Sequence, residues 1–220
     1  MLTIAVLNQK GGVGKSTLST NLAAVAHLKG KRTLVLDLDT QGSSFDWFSA
    51  RKDGSQLDGL NVARADKDLS LPKFKALSQG YDVVVCDGPP RLGNITVAAA
   101  VAADVVVIPL RAGGFDWWAA AETLEKLDQA DELRVQLGRK KVRRLFVLNG
   151  AVANANLTAD AMEKIADVGE LSDVIVHNRV AFGEAVSEGE SVMTKHAGSP
   201  AAEEIRDLYE SITGGKKNGR

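Results

Sequence analysis

Nine residues near the start, Gln9 to Thr17 in the order QKGGVGKST, carry the residue types that hold a polyphosphate. Gly11, Gly12 and Gly14 lack side chains, so backbone N–H groups around Val13 can turn inward and approach an anion closely. Ser16 and Thr17 open a helical stretch whose N-terminus adds partial positive charge. Lys15 is placed to reach the β- and γ-phosphates, and the Ser16 hydroxyl to ligate Mg²⁺. The strict pattern G-x-x-x-x-G-K-[ST] is missed by one residue, because Gln9 stands where the first glycine belongs. A second lysine, Lys10, precedes the glycines. A second cation there would offset charge that builds on phosphates during transfer.

Carboxylates follow at two further points. LVLDLDTQGSS places Asp37 and Asp39 at the end of an apolar run, where alternation sets both on one face. A carboxylate there can orient an attacking water or support a metal shell. YDVVVCDGPPRLG ends a second run with Asp87, and an aspartate at the end of a buried strand can hold Mg²⁺, usually through water. Cys86 points to the opposite face and reads as core. The metal set expected from these residues is Ser16, Asp39 and Asp87.

These groups need elements to position them. The runs 2–8, 32–38, 82–87, 104–110 and 144–150 are β-branched or leucine-rich and nearly continuously apolar, as strands buried on both faces of a parallel sheet are. Helix candidates lie at 16–29, 72–79, 93–102, 117–137, 158–167 and 200–213, the last with Pro200 in its first turn. The alternation predicts an α/β fold, a doubly wound and mainly parallel twisted sheet flanked by helices. Ligands of such sheets sit at the carboxyl ends of the strands, just after residues 8, 38, 87, 110 and 149.

The 220 residues are 45% hydrophobic and 25% charged, enough for one sizeable core. No linker-like stretch divides them. The expectation is one domain over 1–213 and a flexible polar tail over 214–220. The N-terminus lacks the basic start and long apolar run of a signal peptide, and no apolar stretch is long enough to span a membrane. The chain reads as cytoplasmic. A single cysteine excludes an internal disulfide and a cysteine cluster. A net charge of −1 excludes a uniformly basic nucleic-acid protein, so DNA binding would need a local patch.

KGGVGKST resembles the deviant Walker A motif of the ParA/MinD superfamily of P-loop ATPases. DLDTQG is similar to its Walker A′ segment D-x-D-P-Q-G, with Thr40 where proline is usual, and VVVCDGPP to its Walker B. The segment 178–192 resembles the late ParA pattern R-x-x-x-x-E-A-x-x-x-G. The resemblance implies ATP and Mg²⁺ as cofactors and an ATP-sandwiched homodimer. It implies that Lys15 serves its own nucleotide, Lys10 reaches the partner's, and Asp39 is tied to hydrolysis. It further implies that Asn149 in FVLNGA reads adenine and that Asp116, Trp117 and Trp118 face the dimer partner.

The small ParA type, seen in plasmid partition and in cargo-positioning relatives, fits best. The loop begins at residue 9, which leaves no room for an N-terminal helix-turn-helix. The end, GGKKNGR, lacks the apolar face of a MinD-type membrane helix, so no membrane partner is expected. The implied activity is that of an ATP-dependent switch with weak hydrolysis. It would segregate or position plasmid DNA or another macromolecular cargo. It would bind DNA non-specifically as a dimer, on the nucleoid, and release it when a ParB-like or cargo adaptor stimulates turnover. Two rivals share the fold: a MinD-like membrane switch and a metabolic P-loop phosphotransferase. For DNA, the run Arg139, Lys140, Lys141, Arg143 and Arg144 would attract phosphates. A solvated helix end, whose dipole favours cations, accounts for it equally. A second set is Arg179, Lys195, Arg206, Lys216 and Lys217.

Overall fold

The computed structural model describes residues 1–65, 69–91, 93–111, 117–152 and 159–214, with the backbone alone at 117–119 and 159–160. Strands without polar alternation need cover on both faces. The sheet provides it. Its centre is β1 (Leu2–Val6), flanked by β4 (Val83–Asp87) and β5 (Val105–Arg111). Outside β4 lie β2 (Thr33–Asp37) and then β3 (Asn61–Arg64). Outside β5 lies β6 (Arg143–Ala151), which pairs with the two-residue strands β7 (Glu170–Leu171) and β8 (Val176–His177). Every one of these pairings is parallel.

Successive residues of a strand feed opposite layers of core. Ile4 and Val6 pack with Leu18 and Leu22 of α1 (Lys15–Leu28) and with Ile205 of α9 (Pro200–Thr213). Ala5 and Leu7 pack with Ala99 of α4 (Asn94–Ala102) and Leu127 of α5 (Trp117–Gln136), in the layer that holds the fully buried Cys86. The remaining helices are α2 (Ser43–Ser49), α3 (Leu71–Ser78), α6 (Ala159–Val168), α7 (Val180–Val186) and α8 (Val192–Lys195). Pro200 opens α9 with the Ser199 hydroxyl accepting from Ala202 N, a serine cap followed by an N1 proline.

Pro109 sits inside β5 without breaking the sheet. Pairing of β5 with β1 ends at Val107, so the missing N–H falls where β1 has already turned away.

The doubly wound parallel fold is as expected, and the boundaries differ in instructive places. β1 and β2 stop at Val6 and Asp37 rather than at 8 and 38, because the chain leaves the sheet to build loops. β6 runs on to Ala151, so Asn149 lies within the strand rather than at its end. The sequence does not announce α2, β3, β7, β8, α7 or α8. β3 is an edge strand with half-buried or exposed residues, and α2 and α7 are each seven residues long. Such elements carry little hydrophobic periodicity.

Candidate nucleotide site

The loop between β1 and α1 is pinned at its start by Asn8, a buried residue whose Nδ2 donates to the Pro109 carbonyl at 2.7 Å. Its Oδ1 accepts from Lys10 N at 2.9 Å. Gln9, in place of a glycine, donates its backbone N–H to the Thr123 hydroxyl at 3.2 Å. At the other end Gly14 has φ +89°, and a Cβ there would stand 2.2 Å from Asn149 Nδ2. Only glycine meets both conditions. Gly14 is also the N-cap of α1, with no side chain to satisfy the first-turn N–H groups. Those donors face a cavity of about 510 Å³ lined by Gly11, Gly12, Lys15, Ser16, Thr17 and Asp39 among others.

Lys15 is buried at 7% exposure, and its Nζ donates to the Lys10 carbonyl at 3.1 Å. Burial lowers its pKa, opposed by the nearby charges of Asp87 and Asp39. Lys10 is half-buried and does not line the cavity that Lys15 lines. The two lysines of one loop thus have different surroundings.

The three carboxylates also have different surroundings. Asp87, at the end of β4, is fully buried. Its Oδ2 accepts from the Ser44 hydroxyl at 2.7 Å and its Oδ1 from the Ser19 hydroxyl at 3.1 Å, with Ser16 as a further donor. Burial pushes its pKa up to about 6, against the three serine hydrogen bonds that favour the charged form. Asp37 is buried too. Its Oδ1 accepts from Asp39 N at 3.0 Å and its Oδ2 from Phe45 N at 2.9 Å. The N-cap of α2 is Gly42, which has no side chain to give, and Asp37 supplies the capping oxygen instead. Asp39 lies past the strand end and is half-exposed. Its Oδ1 accepts from Gln41 N at 3.0 Å, and it lines both the phosphate-loop cavity and a second cavity of about 550 Å³ beside Pro90 and Arg91.

Asn149 was expected at an adenine. Its Nδ2 is committed to the Val13 carbonyl at 2.7 Å, so it braces the phosphate loop. It also lines a third cavity, of about 510 Å³, that shares Gly14, Thr17 and Arg111 with the first and extends to His177 and Phe182.

The cations expected at DNA are mostly spent on the protein itself. Arg143 pairs with Glu170 at 2.9 Å and donates to the carbonyls of Ser211 and Ile212. Arg144 bridges Asp128 at 2.7 Å and Asp131 at 2.6 Å. Arg139 donates to the Val101 carbonyl at 2.7 Å, where Arg134 already caps the end of α4 through Val101 and Ala103. Lys140 and Lys141 are exposed. The run also stands at the amino end of β6, the opposite edge of a parallel sheet from the phosphate loop. In the second set, Arg179 pairs with Glu204 at 2.6 Å, Lys195 with Glu188, and Arg206 donates to the Ala197 carbonyl at 3.5 Å. Among the described residues of the two sets, Arg139, Arg143, Arg144, Arg179, Lys195 and Arg206 are bonded within the chain, and Lys140 and Lys141 are exposed. Asp116, Lys216 and Lys217 lie outside the described residues, as do the side chains of Trp117 and Trp118.

Reading the sequence missed Asn8, Ser19, Ser44, Arg64 and Arg111. Ser19 alone had a local signal, since it follows Ser16 by three positions and shares its helix face.

A glycine loop between the first strand and a buried helix, with acids at the ends of the neighbouring strands, defines a P-loop nucleotide-binding protein. A family model described as the CobQ/CobB/MinD/ParA nucleotide binding domain matches residues 4–192, and the chain belongs to that family of P-loop ATPases. It is 31% identical to the maintenance of carboxysome distribution protein A of Halothiobacillus neapolitanus, over 96% of this chain and 95% of that protein. It is also 31% identical to the chromosome-partitioning ATPase Soj of Thermus thermophilus, over 95% and 94%. The ATP complex of Cyanothece McdA has the same fold, with a TM-score of 0.74 at 17% identity, covering 100% of this chain and 99% of that one. So does the cobyrinic acid a,c-diamide synthase of Mycobacterium smegmatis with bound ATP analog and magnesium, with a TM-score of 0.71 at 21% identity, covering 100% and 97%. Among the described residues no helix is long and apolar enough to cross a membrane.

Proposed function

We propose that this protein is an ATP-dependent dimerising switch that segregates or positions plasmid DNA or another macromolecular cargo. The observation that carries this reading is the separation of its two loop lysines. Lys15 is buried within the cavity of its own chain, and Lys10 stands outside it. A second loop lysine that does not line the cavity lined by the first fits a nucleotide shared between two copies.

The residues present suit ATP and Mg²⁺. The uncapped N-terminus of α1 and the Gly11–Gly14 backbone offer donors to phosphate oxygens. A buried carboxylate with a raised pKa, Asp87, lies beneath the Ser16 hydroxyl, and a divalent cation nearby would favour its charged form. Mg²⁺ would supply charge neutralisation between the phosphates. Ser16 and Asp87 would hold it, with Asp39 on the cavity side. Asp39 would orient the attacking water, and its half-exposed position leaves it room to do so. The cavity bounded by Asn149, Gly150 and Phe182 would take the base.

Hydrolysis in this reading is weak and is stimulated by a ParB-like or cargo adaptor. The ATP dimer binds DNA through phosphates and so without sequence preference. Co-sedimentation with DNA of unrelated sequences tests this. Binding is expected with ATP, lost with ADP, and steeply reduced by salt. An ATP-loaded protein that ignores DNA at low salt but sediments with anionic vesicles contradicts it and favours the membrane rival.

A further inference from the structure

Arg64 ends β3, the edge strand, and the register places it opposite Asp37 of β2. Its guanidinium reaches over the loop that carries Asp39. Nη2 donates to the Thr40 carbonyl at 2.8 Å. The same group lies over the Phe45 ring, 5.8 Å from its centroid. Its Cζ is 3.3 Å from the point that a Cβ on Gly42 would occupy, at a φ of +72°. One planar side chain thus touches the residue after Asp39, the N-cap of α2 and the third residue of that helix.

Among the described residues the loop has few other restraints. Within it, Gln41 N and Gly42 N return to the side chain and carbonyl of Asp39. From the sheet side, the Asp37 carboxylate holds Asp39 N and Phe45 N. Thr40 is exposed and lacks the ring that would fix its φ. Arg64 supplies the grip from the outer side. A guanidinium suits this task, because its rigid fork can bond a carbonyl and stack on an aromatic face together.

We propose that Arg64 is a positioning residue for ATP hydrolysis, holding the 39–42 loop so that the Asp39 carboxylate faces the phosphate cavity. The proposal rests on the reading of Asp39 as the group that orients water. Arg64 itself is exposed; it lines the second cavity beside Asp39 but not the phosphate-loop cavity, so its removal should spare the fold and nucleotide binding. The loss should fall on the chemical step, where a displacement of about 1 Å can cost on the order of a hundredfold.

The test compares wild type, Arg64→Ala and Asp39→Ala in single-turnover and steady-state phosphate release, with melting temperature and ATP-dependent mass measured alongside. The expected result for Arg64→Ala is a fall in kcat of about tenfold, within the range that a small misplacement allows. The KM for ATP, the melting temperature and the ATP-dependent mass should stay as in wild type. Unchanged kcat, a loss expressed in KM, or a loss that follows melting or dimer mass would each overturn the proposal. Asp39→Ala separates the two layers. If it is inactive while Arg64→Ala is fully active, the Arg64 inference alone fails. If it keeps wild-type turnover, the reading of Asp39 fails, and the positioning role with it.

Discussion

Lys15 and Lys10 share a loop but face different surroundings, and their replacement should separate two functions. Lys15→Ala removes the buried cation of the cavity, so ATP affinity should be lost in a titration calorimeter. Lys10→Ala should keep ATP affinity within a few-fold while losing turnover and dimer. Asp87 gives a second prediction. Its pKa is pushed up to about 6 from an ordinary value near 3.8, so the folded state takes up a proton between those values before the unfolded state does. In EDTA, this group should make the wild type more stable as pH falls from 7 toward 5. Asp87→Asn, which keeps the shape without the charge, should melt no lower than wild type at pH 7.5 and lack that gain. It should also gain less from Mg-ATP. A variant that melts well below wild type in EDTA would show that the charge stabilises the empty site.

Some of this was legible in the sequence and some was not, for a physical reason. The glycines, Lys15, Asp39 and Asp87 lie where their own strand or loop puts them, so local order is enough to find them. Arg143 and Arg144 look like a free cationic run because their partners are remote: Glu170 and the end of α9 for one, Asp131 for the other. Asp37 and Asp39 look alike until the strand ends between them and one becomes a helix cap.

Among the elements, Arg144 ties β6 to α5 through Asp128 and Asp131. Its side chain is 11% exposed and that of Asp131 is 5% exposed, and Asp131 also accepts from Val142 N at 2.7 Å. Arg144→Ala would leave a buried carboxylate without its cation. That should cost about 3 kcal/mol, read as a lower midpoint in urea. Lys140→Ala with Lys141→Ala touches no such pair and should leave the midpoint unchanged. β3 and α2 were invisible to hydrophobic patterning, yet they bring Arg64 and Ser44 to the site. An edge strand and a seven-residue helix bury too little to leave a periodic signal, and their value lies in what they hold.

At the scale of the molecule, the parallel sheet gathers the phosphate loop, Asp39 and Asp87 at its carboxyl edge and leaves the 139–144 run at the other. A DNA surface made by dimerisation would be expected near the first edge. The Lys140, Lys141 double variant therefore bears on where DNA binds: it should retain the wild-type slope of log affinity against log salt. A slope flattened by up to about 3.6 units, two lysines on each of two chains at about 0.9 for each phosphate neutralised, would place the run in contact with phosphates.

The proposed switch turns on a nucleotide shared between two copies. Light scattering with Mg²⁺ and a non-hydrolysable ATP analogue tests it most directly, on wild type and Lys10→Ala at concentrations saturating in nucleotide. The prediction is twice the chain mass for wild type with the analogue, one chain mass with ADP, and one chain mass for Lys10→Ala with either. A wild type that stays monomeric with the analogue, or a Lys10→Ala variant that dimerises as readily as wild type, would contradict it.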